Sequence, residues 1–108
     1  MTNEFLDYII EQLEPMGGVG SKKMFGGYSL QKNDLSIGIF FEGTLYLKVD
    51  DSNRREYEEA GSEQFSYEKG GKTTMVSNWA VPEWVIEDKD EFIRWAEKAY
   101  GVAVRAKR

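Results

Sequence analysis

The chain has 108 residues, the usual size of one domain, and its 41% hydrophobic and 31% charged residues are typical of a globular protein rather than a disordered one. Cysteine and histidine are both absent, which excludes disulfides, thiolate nucleophiles, zinc–sulfur sites and the usual general base near neutral pH. The formal net charge of −5 disfavours tight binding to a phosphate backbone.

The first predicted element is a helix that Thr2 or Asn3 can cap. Its apolar stripe recurs at helical spacing and consists of Phe5, Leu6, Ile9, Ile10 and Leu13. Pro15 cannot continue a helix interior, so we expect the helix to end about there. Residues 16–20 are then expected to form a loop.

A three-stranded meander is predicted next, over residues 23–49. The first strand, 23–32, is irregular, and the Gly26-Gly27 pair in its middle is interpreted as a bulge or a close backbone approach. The second strand alternates, so one face is expected to carry Leu35, Ile37, Ile39 and Phe41. In the third strand the corresponding apolar residues are Leu45, Leu47 and Val49.

A short helix is predicted after the meander, with Asn53 and Glu56 at capping-box spacing and Gly61 as its stop. Residues 65–67 and 73–76 are strand-like, and Gly70-Gly71 between them predicts a hairpin turn. Pro82 then interrupts the pattern.

The last predicted helix has the clearest signals. Asp88 and Glu91 have capping-box spacing at its start, and Gly101 is expected to end it. Its apolar residues fall at i, i+3, i+4, i+7 and i+8 and are Phe92, Trp95, Ala96, Ala99 and Tyr100. The basic residues 105–108 beyond it are expected to be a solvated tail.

The order helix, three strands, helix, two strands, helix predicts an α+β fold. Short connections favour antiparallel pairing, so we expect a two-layer domain with a five-stranded antiparallel sheet and helices on one face. The opposite face is expected to be open and partly apolar. It would carry Ser36, Gly38, Phe40, Tyr46 and Lys48. Phe40 with Tyr46 there suggests a protein partner or a second copy of the chain.

Six segments are distinctive in their order and spacing. They are residues 23–28 (KMFGGY), 45–51 (LYLKVDD), 53–54 (NR), 57–61 (YEEAG), 65–68 (FSYE) and 79–83 (WAVPE). In this arrangement the chain resembles the N-terminal domain of the TfoX/Sxy family over nearly its whole length. The resemblance implies that residues 1–108 form one such domain, with the element order derived above and a shape related to small dimeric secretion chaperones.

The resemblance also implies a bacterial source and a cytosolic regulatory role. Full-length TfoX/Sxy proteins promote expression of competence genes in concert with the cyclic-AMP receptor protein. Those regulators carry a second, C-terminal domain, whereas we expect this chain to be a stand-alone N-terminal domain. A cytoplasmic location is also expected because the chain begins without a signal peptide and contains no apolar stretch of the ~20 residues that span a bilayer.

The predicted functional feature is a surface for a partner. Its candidate residues are Lys22, Lys23, Phe25, Gly26, Gly27, Tyr28, Phe40, Tyr46, Lys48, Trp79 and Trp84. The glycine pair does not fit a phosphate-binding loop, because both of its flanks are strand-like and no helix follows. The leading interpretation of this segment is structural, with glycines that let a backbone or an aromatic ring approach, and a small-ligand site is a further alternative. Trp79 and Trp84 have a similar alternative, which is packing in the core.

No catalytic residue, cofactor or metal ligand is predicted. Asp50 and Asp51 point to opposite sides at the end of a strand, so they are interpreted as helix caps rather than as a metal site.

The leading hypothesis is a non-enzymatic adaptor that contacts another protein, which could be a transcription factor, with a homodimer as one form. Direct contact with nucleic acid is the second hypothesis. It would need the cations Lys22, Lys23, Lys32, Lys48 and residues 105–108 on one face. An enzyme that uses carboxylates or a desolvated Lys48 is the third.

Overall fold

The computed structural model describes residues 4–24 and 26–107, which form a six-stranded antiparallel sheet, four α-helices and a short 3-10 helix. The helices are α1 (Glu4–Gln12), α2 (Arg54–Glu59), α3 (Glu83–Glu87) and α4 (Lys89–Lys107), and the 3-10 helix is Glu14–Met16. The strands are β1 (Val19–Met24), β2 (Gly27–Lys32), β3 (Leu35–Phe41), β4 (Thr44–Lys48), β5 (Gln64–Lys69) and β6 (Lys72–Ala80). Their order in the sheet is β1-β2-β3-β4-β6-β5. The α+β class and the antiparallel pairing are therefore confirmed.

The predicted number of five strands was wrong, because the first predicted strand is a hairpin. Met24, the last residue of β1, pairs with Gly27, the first residue of β2. Gly26 has a φ of +84°, a conformation that favours glycine. Gly27 allows the close backbone approach that the sequence predicted, since a Cβ there would clash with the Phe40 carbonyl oxygen. Part of the predicted loop at 16–20 belongs to β1.

A β-bulge in β3 changes which residues of this strand face the core. Leu30 of β2 pairs with Gly38, but the next residue, Gln31, pairs with Ser36, so Ile37 has no partner in β2. Ile37 and Gly38 are consecutive and both buried. Beyond the bulge the alternation is inverted. The predicted set of Leu35, Ile37, Ile39 and Phe41 on one face is therefore wrong for its last two members.

Paired residues on neighbouring strands point to the same side of a sheet, so the register defines two faces. The core face comprises Leu30, Gly38, Phe40, Leu45 and Leu47, all of which are buried. Helix α4 packs against β3 and β4. Its buried side chains join those of the core face in one cluster and include Phe92, Trp95, Ala96 and Ala99.

Helix α4 continues past Gly101 as far as Lys107, so the predicted end at this glycine was wrong. Val102 and Ala103, which follow the glycine, are both buried. Burying them extends the apolar stripe and offsets the roughly 1 kcal/mol that a glycine costs inside a helix. At the start of α4, the Asp88 Oδ1 accepts a hydrogen bond from the Glu91 backbone N–H at 3.3 Å, as the capping-box spacing predicted.

Asn53 does not cap α2 through its side chain, and the predicted capping box with Glu56 was wrong. The Asn53 Oδ1 accepts a hydrogen bond from the Asp50 N–H at 2.8 Å, and its Nδ2 donates to the Lys48 carbonyl at 3.1 Å. The Glu56 carboxylate instead binds two cations of α4, with Arg94 Nη2 at 2.5 Å and Lys98 Nζ at 2.6 Å. These contacts fasten α2 to α4. The predicted cap at Thr2 or Asn3 lies outside the described residues.

Candidate partner surface

The second face of the sheet carries its own apolar side chains. A continuous row crosses five strands through the pairs Lys22–Ser29, Ser29–Ile39, Ile39–Tyr46 and Tyr46–Ala80. Because paired residues share a face, these five residues lie on the side of the sheet opposite the core face. Ile39 and Tyr46 are only partly buried, and neither packs against the main core.

An aromatic cluster is centred on Phe65 of β5. Its ring lies 4.7 Å from the ring of Tyr46 and 5.6 Å from the ring of Phe41, measured between centroids. The tilted and edge-on geometries are those in which aromatic pairs attract each other. We define the aromatic patch as Ile39, Phe41, Tyr46 and Phe65. It is a preformed apolar surface of partly exposed side chains.

The charged residues that the register places on this face along β1 to β4 are Lys22 and Lys48. Around them the face is polar but uncharged. The Ser29 hydroxyl donates to the Ser36 Oγ at 3.0 Å. The aromatic patch therefore shares its face with two lysines of β1 to β4, while Glu63 lines a groove with Tyr46 and Phe65 on its β5 side.

Phe40, a predicted member of the partner surface, lies in the core with 2% of its surface exposed. The bulge at Ile37 is the physical reason, since it turns Phe40 inward and its neighbours Ile39 and Phe41 outward. Gly38, which the sequence also assigned to the open face, is buried for the same reason. Tyr46 and Lys48 do lie on the second face, as predicted.

The other predicted surface residues are divided between the core and the exterior. Tyr28 and Trp79 are partly buried and pack against the core, so the structural alternative holds for both. Trp84 of α3 is 57% exposed, with its ring edge-on to Trp95 at 6.2 Å. Lys22 and Lys23 are exposed on the edge strand β1, where the register turns them to opposite faces. Phe25 lies outside the described residues, while Gly26 and Gly27 shape the hairpin.

The cations that a nucleic-acid site would require are only partly brought together, since Lys48 and Arg105 line one groove but Lys22 and Lys32 do not belong to it. Lys32 donates to the carbonyls of Met16 and Gly17 at 2.9 and 2.6 Å, which places it at the end of the 3-10 helix. Arg105 donates to the carboxylate of Asp50 at 3.1 Å and to the Ser52 hydroxyl at 2.8 Å. Residues 105–107 thus belong to α4 rather than to a solvated tail, and Arg108 lies outside the described residues.

A groove of about 600 Å³ lies between the end of α4 and strands β4 and β6. Lys48, Asp50 and Arg105 contribute to its lining. Asp50 accepts hydrogen bonds from the hydroxyl and the backbone N–H of Ser52, and these bonds, with Arg105, hold the pKa of its carboxyl below the usual value despite some desolvation. A carboxylate held in this way is a weak proton acceptor at neutral pH. Asp50 thus acts here as an anchor for Arg105.

Sequence reasoning missed three residues of the aromatic patch: Ile39, Phe41 and Phe65. One signal was available. Ile39, Phe40 and Phe41 are consecutive apolar residues, and a strand with such a run has apolar side chains on both faces. The position of the bulge could not be read from the sequence, because alternation alone assumes an uninterrupted ladder.

Among the described residues, no helix combines the length and the hydrophobicity that a membrane crossing requires. A protein-family comparison gives one finding that agrees with the fold. The family model for the TfoX N-terminal domain matches residues 11–103. Curated protein sequences give no match to this chain.

Proposed function

The chain belongs to the TfoX N-terminal domain family, and on that premise we propose that it is a non-enzymatic regulatory adaptor that binds another protein through the second face of its sheet. The observation that carries the proposal is the aromatic patch of Ile39, Phe41, Tyr46 and Phe65. These side chains form a cluster of their own and lie apart from the main core. We place this activity in the bacterial cytoplasm, in the control of transcription.

Contacts of the helices with the core support the view that the second face is open. Helix α1 reaches the core face through Phe5, whose ring lies 5.8 Å from that of Phe40. Helix α2 does so through Tyr57, 6.4 Å from Trp79, and α3 contributes Ile86 to the same buried cluster. With α4 packed on β3 and β4, we infer that the helices cover the core face and leave the aromatic patch accessible.

The patch has the properties of an interface anchor. Aromatic residues that are already held by their neighbours lose little conformational entropy on binding, and such residues supply much of the affinity in protein–protein contacts. The Phe65 ring contacts the rings of both Tyr46 and Phe41. A partner with a complementary apolar patch would therefore find a rigid surface.

Charge favours a different protein over a second copy of this chain. A face-to-face homodimer would bring two copies of Lys22 and of Lys48 around one apolar contact, and Glu63 beside Tyr46 and Phe65 supplies only one carboxylate per copy against these two lysines. A partner with acidic residues around its apolar patch would pair with both lysines. We therefore propose a heterologous partner of that kind, and a transcription factor is the class that the family suggests.

Nucleic acid is the second candidate partner, and the distribution of cations does not favour it. Lys48 and Arg105 line one groove, whereas Lys22 lies on the edge strand β1 and Lys32 is held at the 3-10 helix. Two lysines beside an aromatic patch are few for a phosphate-driven complex, in which affinity grows with the number of neutralised phosphates. The experiment below separates the two candidates.

A photo-cross-linking residue, p-benzoylphenylalanine, placed at Phe41 or at Phe65 tests the proposal in native cytosol from the source organism. The matched control carries it at Glu58, which is exposed on α2. We expect one protein to be captured from both positions 41 and 65, but not from 58, and to resist nuclease. Replacing Lys48 by Glu should weaken the capture. Capture of nucleic acid, of a second copy, or of nothing would each overturn the proposal.

A further inference from the structure

A narrow groove between α1 and α3 forms a second surface, on helices rather than on the sheet. Its lining consists of Phe5, Tyr8, Glu83, Ile86 and Glu87, and its volume is about 230 Å³. The Gln12 Nε2 donates to the Ile86 carbonyl at 2.9 Å and so fixes the end of α1 against α3. We call this the α1–α3 groove. Its two walls are held together by the fold.

The apolar part of the groove is aromatic and accessible. The rings of Phe5 and Tyr8 stack with a centroid separation of 6.5 Å and an interplanar angle of 16°. Tyr8 is 38% exposed, so its ring presents area to solvent. Phe5 also contacts Phe40 of the core face, and Ile86 is buried. The floor of the groove is therefore rigid.

The rim of the groove is negatively charged and has no cation of its own. Neither α1 nor α3 contains a lysine or an arginine. Within residues 4–24 and 26–107, the carboxylates that form ion pairs are Asp50, Asp51, Glu56, Glu59 and Glu91. The two carboxylates that line the groove are Glu83 and Glu87, while Glu4 and Glu11 lie one turn from Tyr8 along α1, and none of the four is in that set.

Helix stability does not explain all of these carboxylates. An acidic residue in the first turn of a helix is favourable, which accounts for Glu4 and Glu83. Glu11 and Glu87 lie in the last turns of α1 and α3, where a negative charge opposes the helix dipole. Glu11 and Glu4 also share the helix face of Tyr8 through i+3 and i−4 spacing.

We propose that the α1–α3 groove binds an arginine or lysine side chain in a basic segment of another protein. The alkyl part of that side chain would lie along Phe5, Tyr8 and Ile86, and the cation would lie over the Tyr8 ring and between the carboxylates of Glu83 and Glu87. Aromatic faces and carboxylates both attract cations, so one occupant satisfies both features of the groove. This surface is separate from the aromatic patch and does not depend on the proposed function.

The size and charge of the groove distinguish this occupant from others. Pockets for drug-sized ligands usually have volumes of about 300–1,000 Å³, so this groove fits a side chain better than a metabolite. A second copy of the chain would bring a further net charge of −5 towards a negative rim. The negative rim attracts a basic segment of another protein instead.

Fluorescence anisotropy with a labelled ten-residue peptide of alternating arginine and alanine tests the groove in low salt. The variant E83Q/E87Q should weaken binding about tenfold, since two charge-assisted contacts of roughly 0.7 kcal/mol each are lost. The matched control E58Q/E68Q removes the same charge from exposed residues that do not line the groove and should bind as the wild type does. Tyr8→Ala should weaken binding several-fold with no change in charge.

Three results would overturn this inference. Equal loss in E83Q/E87Q and E58Q/E68Q would mean that only the net charge attracts the peptide. Absence of binding to the wild type at low salt would mean that the groove does not take a basic side chain. A dimer of the peptide-free protein in sedimentation experiments that E83Q/E87Q dissociates would identify a second copy as the occupant. Thermal melts of all three variants verify folding, and none of these outcomes bears on the aromatic patch.

Discussion

Phe40 and Phe41 are consecutive residues of β3, yet they end in different surroundings. Phe40 on the core face is 2% exposed and contacts the rings of Phe5 and Tyr28. Phe41 on the second face is partly buried and contacts only Phe65 among the ring pairs of the described residues. The comparison shows that one strand supplies aromatic side chains both to the core and to a surface. Substitutions at these two neighbouring positions therefore test which face each side chain occupies.

The largest expected effect comes from Phe40→Ala. Removing a buried phenylalanine loses its transfer free energy and leaves a cavity, so we expect the free energy of unfolding to fall by about 3–5 kcal/mol. Phe41→Ala removes a partly buried ring and one aromatic contact, so the loss should be smaller, about 1–2 kcal/mol. Urea denaturation of both variants measures the difference. Equal losses, or a larger one for Phe41, would contradict the register and restore the assignment that strict alternation predicted.

A smaller effect is expected from adding one methyl group to each face. A Cβ at Gly38 would lie 2.5 Å from the Tyr46 carbonyl oxygen and 2.9 Å from the Leu47 Cδ2, so β3 and β4 would have to separate. We expect Gly38→Ala to lower the free energy of unfolding by about 1–3 kcal/mol. Gly20, which pairs with Gln31 on the second face, has open space at its Cβ position.

Gly20→Ala is therefore the control for Gly38→Ala. It should leave the free energy of unfolding unchanged or raise it by about 0.5 kcal/mol, because alanine has fewer conformations in the unfolded chain. Thermal melts of the two variants give the comparison directly. If both alanines changed the free energy of unfolding equally, the close contact between β3 and β4 at Gly38 would not determine stability.

The two faces also differ in how well the sequence predicted them. Periodicity located α4, the β4 strand and the pair of strands around Gly70-Gly71, because each has an uninterrupted pattern with clear turn or cap residues. The β1–β2 hairpin was predicted as one strand, since its connection is short, with Met24 paired to Gly27, and apolar residues do not alternate around it. In β3, one extra residue at Ile37 exchanged the faces of all residues after it.

The candidate site was predicted only in part for the same reason. Tyr46 and Lys48 belong to a regular strand, and their positions on the second face were predicted correctly. Phe41 and Phe65 meet across the sheet through β-pairings that are far apart in sequence, so only the register of the folded sheet brings them together. The α1–α3 groove likewise depends on the tertiary contact between Gln12 and Ile86. No local pattern encodes that contact.

The smallest expected effect concerns the ion pairs that join α2 to α4, in which the Glu56 carboxylate binds Arg94 and Lys98. Burial raises the pKa of Glu56, but Arg94 and Lys98 outweigh it and hold that pKa below its usual value. A carboxyl group whose pKa is lower in the folded state stabilises the protein above its unfolded pKa of about 4.3, and this stabilisation is lost as pH falls through the folded pKa.

We therefore expect Glu56→Gln to lower the free energy of unfolding by about 1 kcal/mol at neutral pH, a value suited to a partly exposed pair of contacts. The difference from the wild type should shrink as pH falls below about 4, because protonation then removes the same charge from the wild type. Glu58→Gln, which removes a neighbouring carboxylate without an ion pair in the described part of the chain, should follow the wild type at every pH. A pH-independent gap for Glu56→Gln would mean that packing rather than charge joins α2 to α4.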